Sequence, residues 1–352
     1  MNQIPSDNPS RSLVSLTSTA GDTAVQDAVR DCMEAAQWRR FITPGAAVCL
    51  KPNLGWDLFL PGAVTSPWVV EGVVQTIRDY VGKIYVVEAD QVLVKCETAL
   101  RQTRIDRIIE KYDLEWVNLS RGEFVEVEVP GARVLPKIRL PEILLRTELI
   151  TLPVMKTHNK TTTTGALKNQ WGCLPKERHR YHGVVHAAIA DLNRALHPRF
   201  AVMDATVCLE GDSPKSGRPR IMDLVLASGD LLALDAVAAT LMGFDPPRIE
   251  HLRECAEAGL GTLDRAQMEI TGPDPDTLAV SFLPARDNLV SRVEMALRHW
   301  RYARCIFGTC LFDFACYGAI WWYWIWYHLG PGGRLRDQIL RDPKYGPQWR
   351  EG

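Results

Sequence analysis

A stretch rich in lysine and threonine, residues 156–169, carries the densest set of side chains suited to chemistry. Its sequence is Lys-Thr-His-Asn-Lys-Thr-Thr-Thr-Thr-Gly-Ala-Leu-Lys-Asn. The lysines are cationic donors, the threonines add hydroxyls, and Gly165 opens a predicted helix, whose free amides and dipole favour an anion. The stretch does not match the P-loop pattern, so a nucleoside triphosphate is not implied. We therefore predict a loop that binds a small carboxylate or phosphate; a solvated lysine-rich loop is the alternative.

A second set of candidate side chains is the turn Lys51-Pro52-Asn53, which follows an apolar run ending at Leu50. A lysine in a partly desolvated pocket can have its pKa lowered enough to act as a base. An ordinary lysine on a surface turn is the alternative. We expect either Lys51 or His158 to move protons.

Acidic side chains form a third set, in the second half of the chain. Asp204 and Glu210 precede glycines and prolines typical of a loop held close to another group. Such carboxylates can balance a cationic loop, bind Mg²⁺ or act as a general base, so we expect both at the site. Asp230 is more typical of a helix N-cap than of a site residue. A helix N-cap is also the alternative to a site role for Asp235.

Three histidines, His179, His182 and His186, have i, i+3 and i+7 spacing and would share one face of a helix. Neighbouring cations and the lack of an HExxH pattern favour His182 as an anion donor or acid/base over a metal ligand. A divalent metal stays open, no ligand for it is assigned, and the cofactor is unknown. The predicted catalytic residues are Lys51, His158, Asp204 and Glu210, and the predicted substrate-binding residues are Asn53, Lys156, Thr164, Gly165, Lys168, Asn169 and His182.

The elements that must position these residues alternate between short apolar runs and amphipathic helical stretches, which is typical of α/β layering. Five apolar runs end abruptly in polar clusters, at Lys51, Glu88, Lys156, Asp204 and Gly229. In open parallel sheets, ligands bind at the carboxyl ends of the strands. We therefore predict an α/β fold with one or more mostly parallel sheets and flanking helices, arranged in two lobes, 12–145 and 146–285.

The two ends of the chain differ from this body. Residues 1–11 are polar and predict a disordered tail, and 286–352 predict a C-terminal helical segment. Within it, 305–329 has Asp313 and His328 as its only ionisable residues apart from cysteines and tyrosines, and it contains the run Trp321–Tyr327. This segment could lie at a membrane surface between flanking arginines, pack on the body or on a partner in a homodimer, or span a bilayer.

Composition bounds the class of protein. The chain has 352 residues, 46% hydrophobic and 24% charged, with a formal net charge of −1. This charge argues against a nucleic-acid binder. Nine scattered cysteines without a CxxC run make an iron–sulfur cluster an unfavoured cofactor. The N-terminus has no signal-peptide pattern, so a cytoplasmic location is expected, with the inner face of the membrane as the site of any attachment.

Several motifs follow one another in order along the chain. They are Lys51-Pro-Asn-Leu, Leu152-Pro-Val-Met-Lys-Thr-His, Thr164-Gly-Ala-Leu-Lys-Asn169 with Gly172, Met203-Asp204, Leu209-Glu-Gly211 with Pro214 and Gly217, Ala227-Ser-Gly-Asp230, Leu234-Asp-Ala-Val-Ala-Ala239 and Met242-Gly243. Together they resemble the family called domain of unknown function 362 over roughly residues 12–265. The name of this family assigns no general reaction. Many members carry a four-iron ferredoxin-like module that this chain lacks, so the resemblance implies that any redox role would need an external partner or another cofactor.

Three functions follow as expectations. The first is an enzyme that acts on a small anionic substrate held by the 156–169 loop. The second is a membrane-associated binding or accessory protein that docks through its C-terminal segment. The third is a redox protein that receives electrons from an external donor.

Overall fold

The computed structural model describes residues 11–286 and 310–350, with side chains of the second range described from 317 onward. The predicted disordered tail therefore lies outside the described residues, except for Arg11. The strands are β1 (Ser12–Ser18), β2 (Ala47–Pro52), β3 (Lys83–Glu88), β4 (Glu115–Asn118), β5 (Phe124–Glu128), β6 (Lys137–Pro141), β7 (Glu148–Leu152), β8 (Val154–His158), β9 (Thr162–Thr164), β10 (Phe200–Glu210), β11 (Arg218–Ser228) and β12 (Met268–Thr271).

Helices alternate with these strands along the body. Three more helices, Cys310–His328, Pro331–Leu340 and Pro347–Arg350, follow in the C-terminal segment. The helices of the body are α1 (Val25–Ala35), α2 (Pro67–Ile77), α3 (Cys96–Thr103), α4 (Ile105–Lys111), α5 (Glu142–Arg146), α6 (Ala166–Asn169), α7 (Val185–Leu196), α8 (Leu231–Leu241), α9 (Glu250–Glu257) and α10 (Pro275–Leu278).

One ten-stranded sheet organises the fold, in the order β12-β1-β11-β10-β7-β2-β3-β4, with β8 and β9 attached through β10. Strands β4, β3, β2, β7 and β10 are mutually parallel, and β11 runs antiparallel to both β10 and β1. The predicted α/β class with a mostly parallel sheet is confirmed. The sheet is continuous across residues 145 and 146, because β7 pairs with β2, and the division into two lobes stays a prediction.

Both faces of the sheet are covered, as parallel sheets require. Cys49 on β2 packs into one apolar layer, with α7, α8 and α9, while its neighbours Val48 and Leu50 pack into the other, with α1 and α2. Successive side chains on a strand point to opposite faces, so a short continuous apolar run is what a strand buried on both faces needs. The strand ends are therefore the places where polar side chains can gather.

Two elements of the body depart from simple alternation of strands and helices. Helices α3 and α4 follow one another and are separated at Arg104, which has a φ of 66°. Strands β5 and β6 form an antiparallel pair, which is a separate two-stranded sheet.

The C-terminal segment lies against the body. Tyr323 and Tyr327 of helix Cys310–His328 are buried, and the Tyr327 hydroxyl donates to the Phe59 carbonyl at 2.7 Å. Packing on the body, one of the three arrangements expected for this segment, is therefore observed for this face of the helix. Within the ranges that the structure describes, no helix combines the length and apolar character needed to cross a membrane.

Candidate functional site

A buried ion pair lies at the carboxyl edge of the sheet, where β2 and β3 end side by side. Lys51 Nζ is 3.0 Å from Glu88 Oε2, and the two side chains are 1% and 3% exposed. Backbone amides of Leu54 and Ala89 also donate to the Glu88 carboxylate. A Cβ at Gly172 would lie 2.7 Å from Glu88 Oε1 and 2.9 Å from Lys51 Nζ, so a glycine is needed there to cover the pair. The structure gives Lys51 a fixed carboxylate partner, and its catalytic role stays a prediction.

Three of the predicted substrate-binding residues bind one another beside this pair. Lys156 Nζ donates to Asn53 Oδ1 at 3.0 Å and to the Ala63 carbonyl at 2.6 Å. Asn53 Nδ2 donates to Asn169 Oδ1 at 3.0 Å, and Asn169 Nδ2 donates to the Lys51 carbonyl. The two asparagines thus form an internal network that fixes the Lys156 ammonium.

Lys156 and Lys168 form the centre of a group of cations that we call the cation cluster, completed by Lys160 and Arg178. Burial, with neighbouring cations as a second cause, lowers the pKa of Lys156 to about 7 and that of Lys168 to about 7. For Lys156 the cations include Lys168, and for Lys168 they are Lys160 and Arg178. Lys156 is buried and Lys168 is half-buried. Among the described residues, neither ammonium forms an ion pair with a carboxylate. At these two lysines, the described residues therefore leave positive charge without a direct ion-pair partner.

His158 adds an uncharged donor to this cluster. Its Nδ1 accepts a hydrogen bond from the Lys160 amide at 3.0 Å, so a neutral ring carries its proton on Nε2. Burial and the charges of Lys168 and Lys156 hold the pKa of His158 well below its usual value. His182 Nδ1 is 3.3 Å from Lys160 Nζ, and its ring stacks on Trp171. The structure thus brings His158 and His182 close to the lysines, and their role in ligand binding stays a prediction.

The 156–169 stretch differs from the predicted loop. Lys156 and His158 belong to β8, which forms a hairpin with β9, and α6 follows directly. The expectation that α6 offers free amides to an anion is wrong. The carboxylate of Asp235 accepts from the amides of Ala166 at 2.6 Å and Leu167 at 3.0 Å.

Gly165 is positioned for this internal contact, because an added Cβ would collide with the Asp235 carboxylate. Burial raises the pKa of Asp235 to about 7, although the two amides act in the opposite direction. The N-cap of α6 is Gly165, without a side-chain hydrogen bond. Thr164 Oγ1 is buried and has no partner among the described residues.

Two predicted catalytic carboxylates are engaged elsewhere. Asp204 accepts from the Ser66 amide, at the start of α2, and from the amide and hydroxyl of Thr206. Burial raises the pKa of Asp204. Glu210 binds Arg220 at 2.8 Å. Both carboxylates thus bind other groups of the body, and among the described residues neither forms an ion pair with Lys156 or Lys168, so their catalytic role stays a prediction.

The described residues hold one close group of potential metal-binding side chains, Asp90, Cys96 and Glu97, whose ligand atoms lie within 4.8 Å of one another. Asp90 accepts from the Cys96 amide and Glu97 pairs with Arg121. The predicted histidine face does not form a single α-helix. His179 and His182 lie in the 3₁₀ helix Lys176–Val184, and α7 begins after it.

Sequence reasoning missed Arg178 and His251 near the cluster, and it missed the partner of Asp235. Arg178 is buried and donates to the carbonyls of Gly172, Leu174 and Asp90. Asp235, for which a cap of its own helix is the alternative, binds the amides of α6 instead. His251 is fully buried, neither of its ring nitrogens has a partner within the described ranges, and burial with the nearby Lys168 charge lowers its pKa to about 3. Nothing in the local sequence around His251 could have identified it, since its neighbourhood depends on the packing of α9 against α7.

The comparisons with known proteins match the part of the chain that carries the candidate site. The model of the family described as domain of unknown function (DUF362) matches residues 48–240, which include Lys51, Lys156 and Lys168. A thylakoid-associated protein of Synechocystis sp. is 26% identical over 248 residues, or 66% of this chain and 73% of that protein.

Two solved structures share similarity with the chain at low sequence identity. The lactate racemase apoprotein from Thermoanaerobacterium thermosaccharolyticum has a TM-score of 0.42 and 9% identity, over 72% of this chain and 58% of that one. A protein from Thermotoga maritima has a TM-score of 0.38 and 11% identity, over 71% of this chain and 60% of that one. The chain thus spans less than two thirds of the length of either.

Proposed function

This chain belongs to the domain of unknown function 362 family, whose name assigns no reaction, and from the site geometry we propose that it is an enzyme that binds a small carboxylate or phosphate at the cation cluster. The observation that carries this proposal is the unneutralised charge of Lys156 and Lys168 at the carboxyl edge of a parallel sheet. Ligands bind at that edge in open α/β sheets.

Among the residues that the structure describes, no carboxylate forms an ion pair with Lys156 or Lys168. Glu88 is already paired with Lys51, and Asp235 is bound to the amides of α6. A buried charge without a partner is costly, and its pKa shifts toward the neutral form. A ligand anion would remove that cost. The burial of these lysines close to one another therefore favours anion binding.

The same arrangement supports proton transfer. A lysine with a pKa near 7 is present as both amine and ammonium at neutral pH, which suits a general acid or base. The half-buried Lys168 can take a proton from a bound ligand, and His158 can donate a hydrogen bond from Nε2 to the anion.

The proposal is tested by calorimetric titration of the full-length protein with acetate and with inorganic phosphate. We expect binding of at least one of them by the native protein, and a loss of at least tenfold in Lys168→Gln. Lys176→Gln is the matched control, because Lys176 is exposed. Equal affinity in all three proteins, or no binding at all, contradicts the proposal.

A specific surface favours a second, compatible role, attachment to a membrane. Helix Cys310–His328 exposes large apolar side chains around the buried Tyr323 and Tyr327. Tryptophan and tyrosine favour the headgroup level of a bilayer, and the exposed Arg334 can contact anionic lipid. A relative described as thylakoid-associated is consistent with this role. The exposed side chains are Tyr317 at 65%, Ile320 at 43%, Trp321 at 64%, Trp322 at 39%, Trp324 at 41% and Ile325 at 45%, followed by Leu329 at 73%.

Sedimentation with vesicles of mixed zwitterionic and anionic lipid tests this role. We expect the native protein to sediment with vesicles and the double variant Trp321→Ser, Trp324→Ser to stay in the supernatant. These side chains face outward, so the variant should keep its fold and its anion affinity. If the native protein does not sediment but forms a dimer that the double variant disrupts, the face is a homodimer interface instead.

A further inference from the structure

One short segment of the chain, residues 53–64, contacts both the cation cluster and the C-terminal helix. At its two ends, the side chain of Asn53 and the carbonyl of Ala63 hold the Lys156 ammonium, at 3.0 and 2.6 Å. In its middle, Trp56 packs edge-on against Tyr323, with ring centroids 4.9 Å apart, and the Phe59 carbonyl accepts from Tyr327. Residues 53–64 therefore form a wall that lies between the cation cluster and the helix and contacts both.

This wall is apolar between its polar ends. Leu54, Trp56, Phe59 and Leu60 are buried there. Beyond them lies the helix Cys310–His328, whose other face exposes tryptophans to the surroundings. Buried apolar side chains thus connect the partners of Lys156 with the helix that carries the exposed aromatic face.

Lys215 marks the boundary between the charged and the apolar parts. Its ammonium lies 4.8 Å from the centre of the Trp56 ring and 5.7 Å from that of Tyr323, in cation–π geometry. Its charge also acts on Lys156, because it is one of the cations that lower the pKa of Lys156. A cation at this boundary suits the junction between an anionic head and an apolar tail.

We propose that the ligand of the cation cluster is an anionic amphiphile, a fatty carboxylate or a monoalkyl phosphate, whose apolar part lies along the wall formed by residues 53–64 and helix Cys310–His328. The anionic head contacts Lys156, Lys168 and Lys215. This inference rests on the proposed anion site and adds the apolar half of the ligand. A bilayer can supply such a ligand, and the exposed aromatic face would then contact the bilayer from which the ligand enters.

Calorimetric titration of the full-length protein with methyl phosphate and hexyl phosphate, which have the same charged head, tests the inference. Burial of one methylene strengthens binding about fourfold. We therefore expect hexyl phosphate to bind more than tenfold tighter, because two buried methylenes suffice. Vesicles that contain a monoalkyl phosphate should compete with the soluble hexyl phosphate, which distinguishes a membrane source from a soluble one.

The outcomes separate the two proposals. Equal affinity for the two phosphates overturns the amphiphile and leaves the anion site intact, whereas no binding of either overturns both. Hexyl phosphate that binds Lys168→Gln as tightly as the native protein shows adsorption on the aromatic face and also overturns the inference. Tyr323→Leu should keep methyl phosphate affinity and lose most of the gain from the longer chain. If this variant does not fold, the comparison in the native protein decides alone.

Discussion

Anion binding at the cation cluster should be accompanied by uptake of protons from solution. In the ligand-free protein the pKa of Lys156 and that of Lys168 are each about 7, lowered first by burial and then by neighbouring cations. A bound anion stabilises the ammonium form and so offsets both the burial and the repulsion between the cations. Both pKa values therefore rise toward their ordinary range. The perturbation is therefore the ligand itself, and the response is a change in proton number.

The size of this response depends on pH. At pH 7.5 an amine with a pKa of 7 is protonated in about a quarter of the molecules, so each lysine takes up about 0.75 proton when an anion restores its pKa. Both lysines together give about 1.5 protons at pH 7.5 and only about 0.2 at pH 6. Lys168 is half-buried, so solvent screening reduces its share, and Lys156 is expected to supply about 0.75 proton at pH 7.5.

Calorimetric titration with acetate, in buffers of different ionisation enthalpy at constant pH, measures the proton number directly. The observed binding enthalpy should change with the buffer at pH 7.5 and hardly at all at pH 6. Lys168→Gln should reduce the uptake by the share of that lysine, and Lys176→Gln should leave it unchanged. Acetate binding at pH 7.5 with an enthalpy that is the same in every buffer would refute the reasoning.

The remaining predictions concern stability. Glu88→Gln leaves the Lys51 ammonium buried without its partner and should lower the free energy of unfolding by about 3–5 kcal/mol in urea titrations; a loss under 1 kcal/mol contradicts the pairing. Asp235 has a folded pKa of about 7, above its unfolded value of 3.8, so its contribution is fully present below pH 3.8 and lost as the pH rises to 7. Asp235→Asn should therefore cost about 2–3 kcal/mol more at pH 5 than at pH 8, and a pH-independent cost contradicts this. Gly172→Ala should destabilise by about 1–3 kcal/mol in thermal unfolding, because its methyl group meets the Lys51–Glu88 pair, whereas Gly183→Ala, in open space, should be near neutral.

The sheet and the edge that carries the site could be predicted because they depend on local patterns. Short apolar runs that end in polar residues, such as Leu50 before Lys51 and Val87 before Glu88, mark strands buried on both faces and the points where they leave the core. The rule for open sheets then places those polar ends together. The resemblance to the domain of unknown function 362 family, made from the same motifs, is confirmed.

The partners of the polar groups could not be predicted, because they come from distant parts of the chain. The amides of α6 look free in the sequence, and the carboxylate that binds them, Asp235, is 69 positions away from Ala166. Asp204 has the residue type of a catalytic carboxylate and is predicted at a strand end, yet β10 continues to Glu210 and the Asp204 carboxylate binds the Ser66 amide 138 positions away. Propensity and spacing identify a polar group at a strand end, but only the packing of the helices decides whether another group of the chain already binds it.

This internal pairing narrows the set of groups that a ligand can use. Asn53 and Asn169 hold each other and Lys156, Lys51 is held by Glu88, and the first two amides of α6 are taken by Asp235. A buried polar group that is already satisfied gains little from a ligand, whereas one that is not satisfied gains the full cost of its desolvation. Lys168 is half-buried in repulsion with other cations, so it is the residue whose free energy a bound anion changes most. Substitution of Lys168 should consequently affect ligand affinity more than substitution of either asparagine affects it at equal stability.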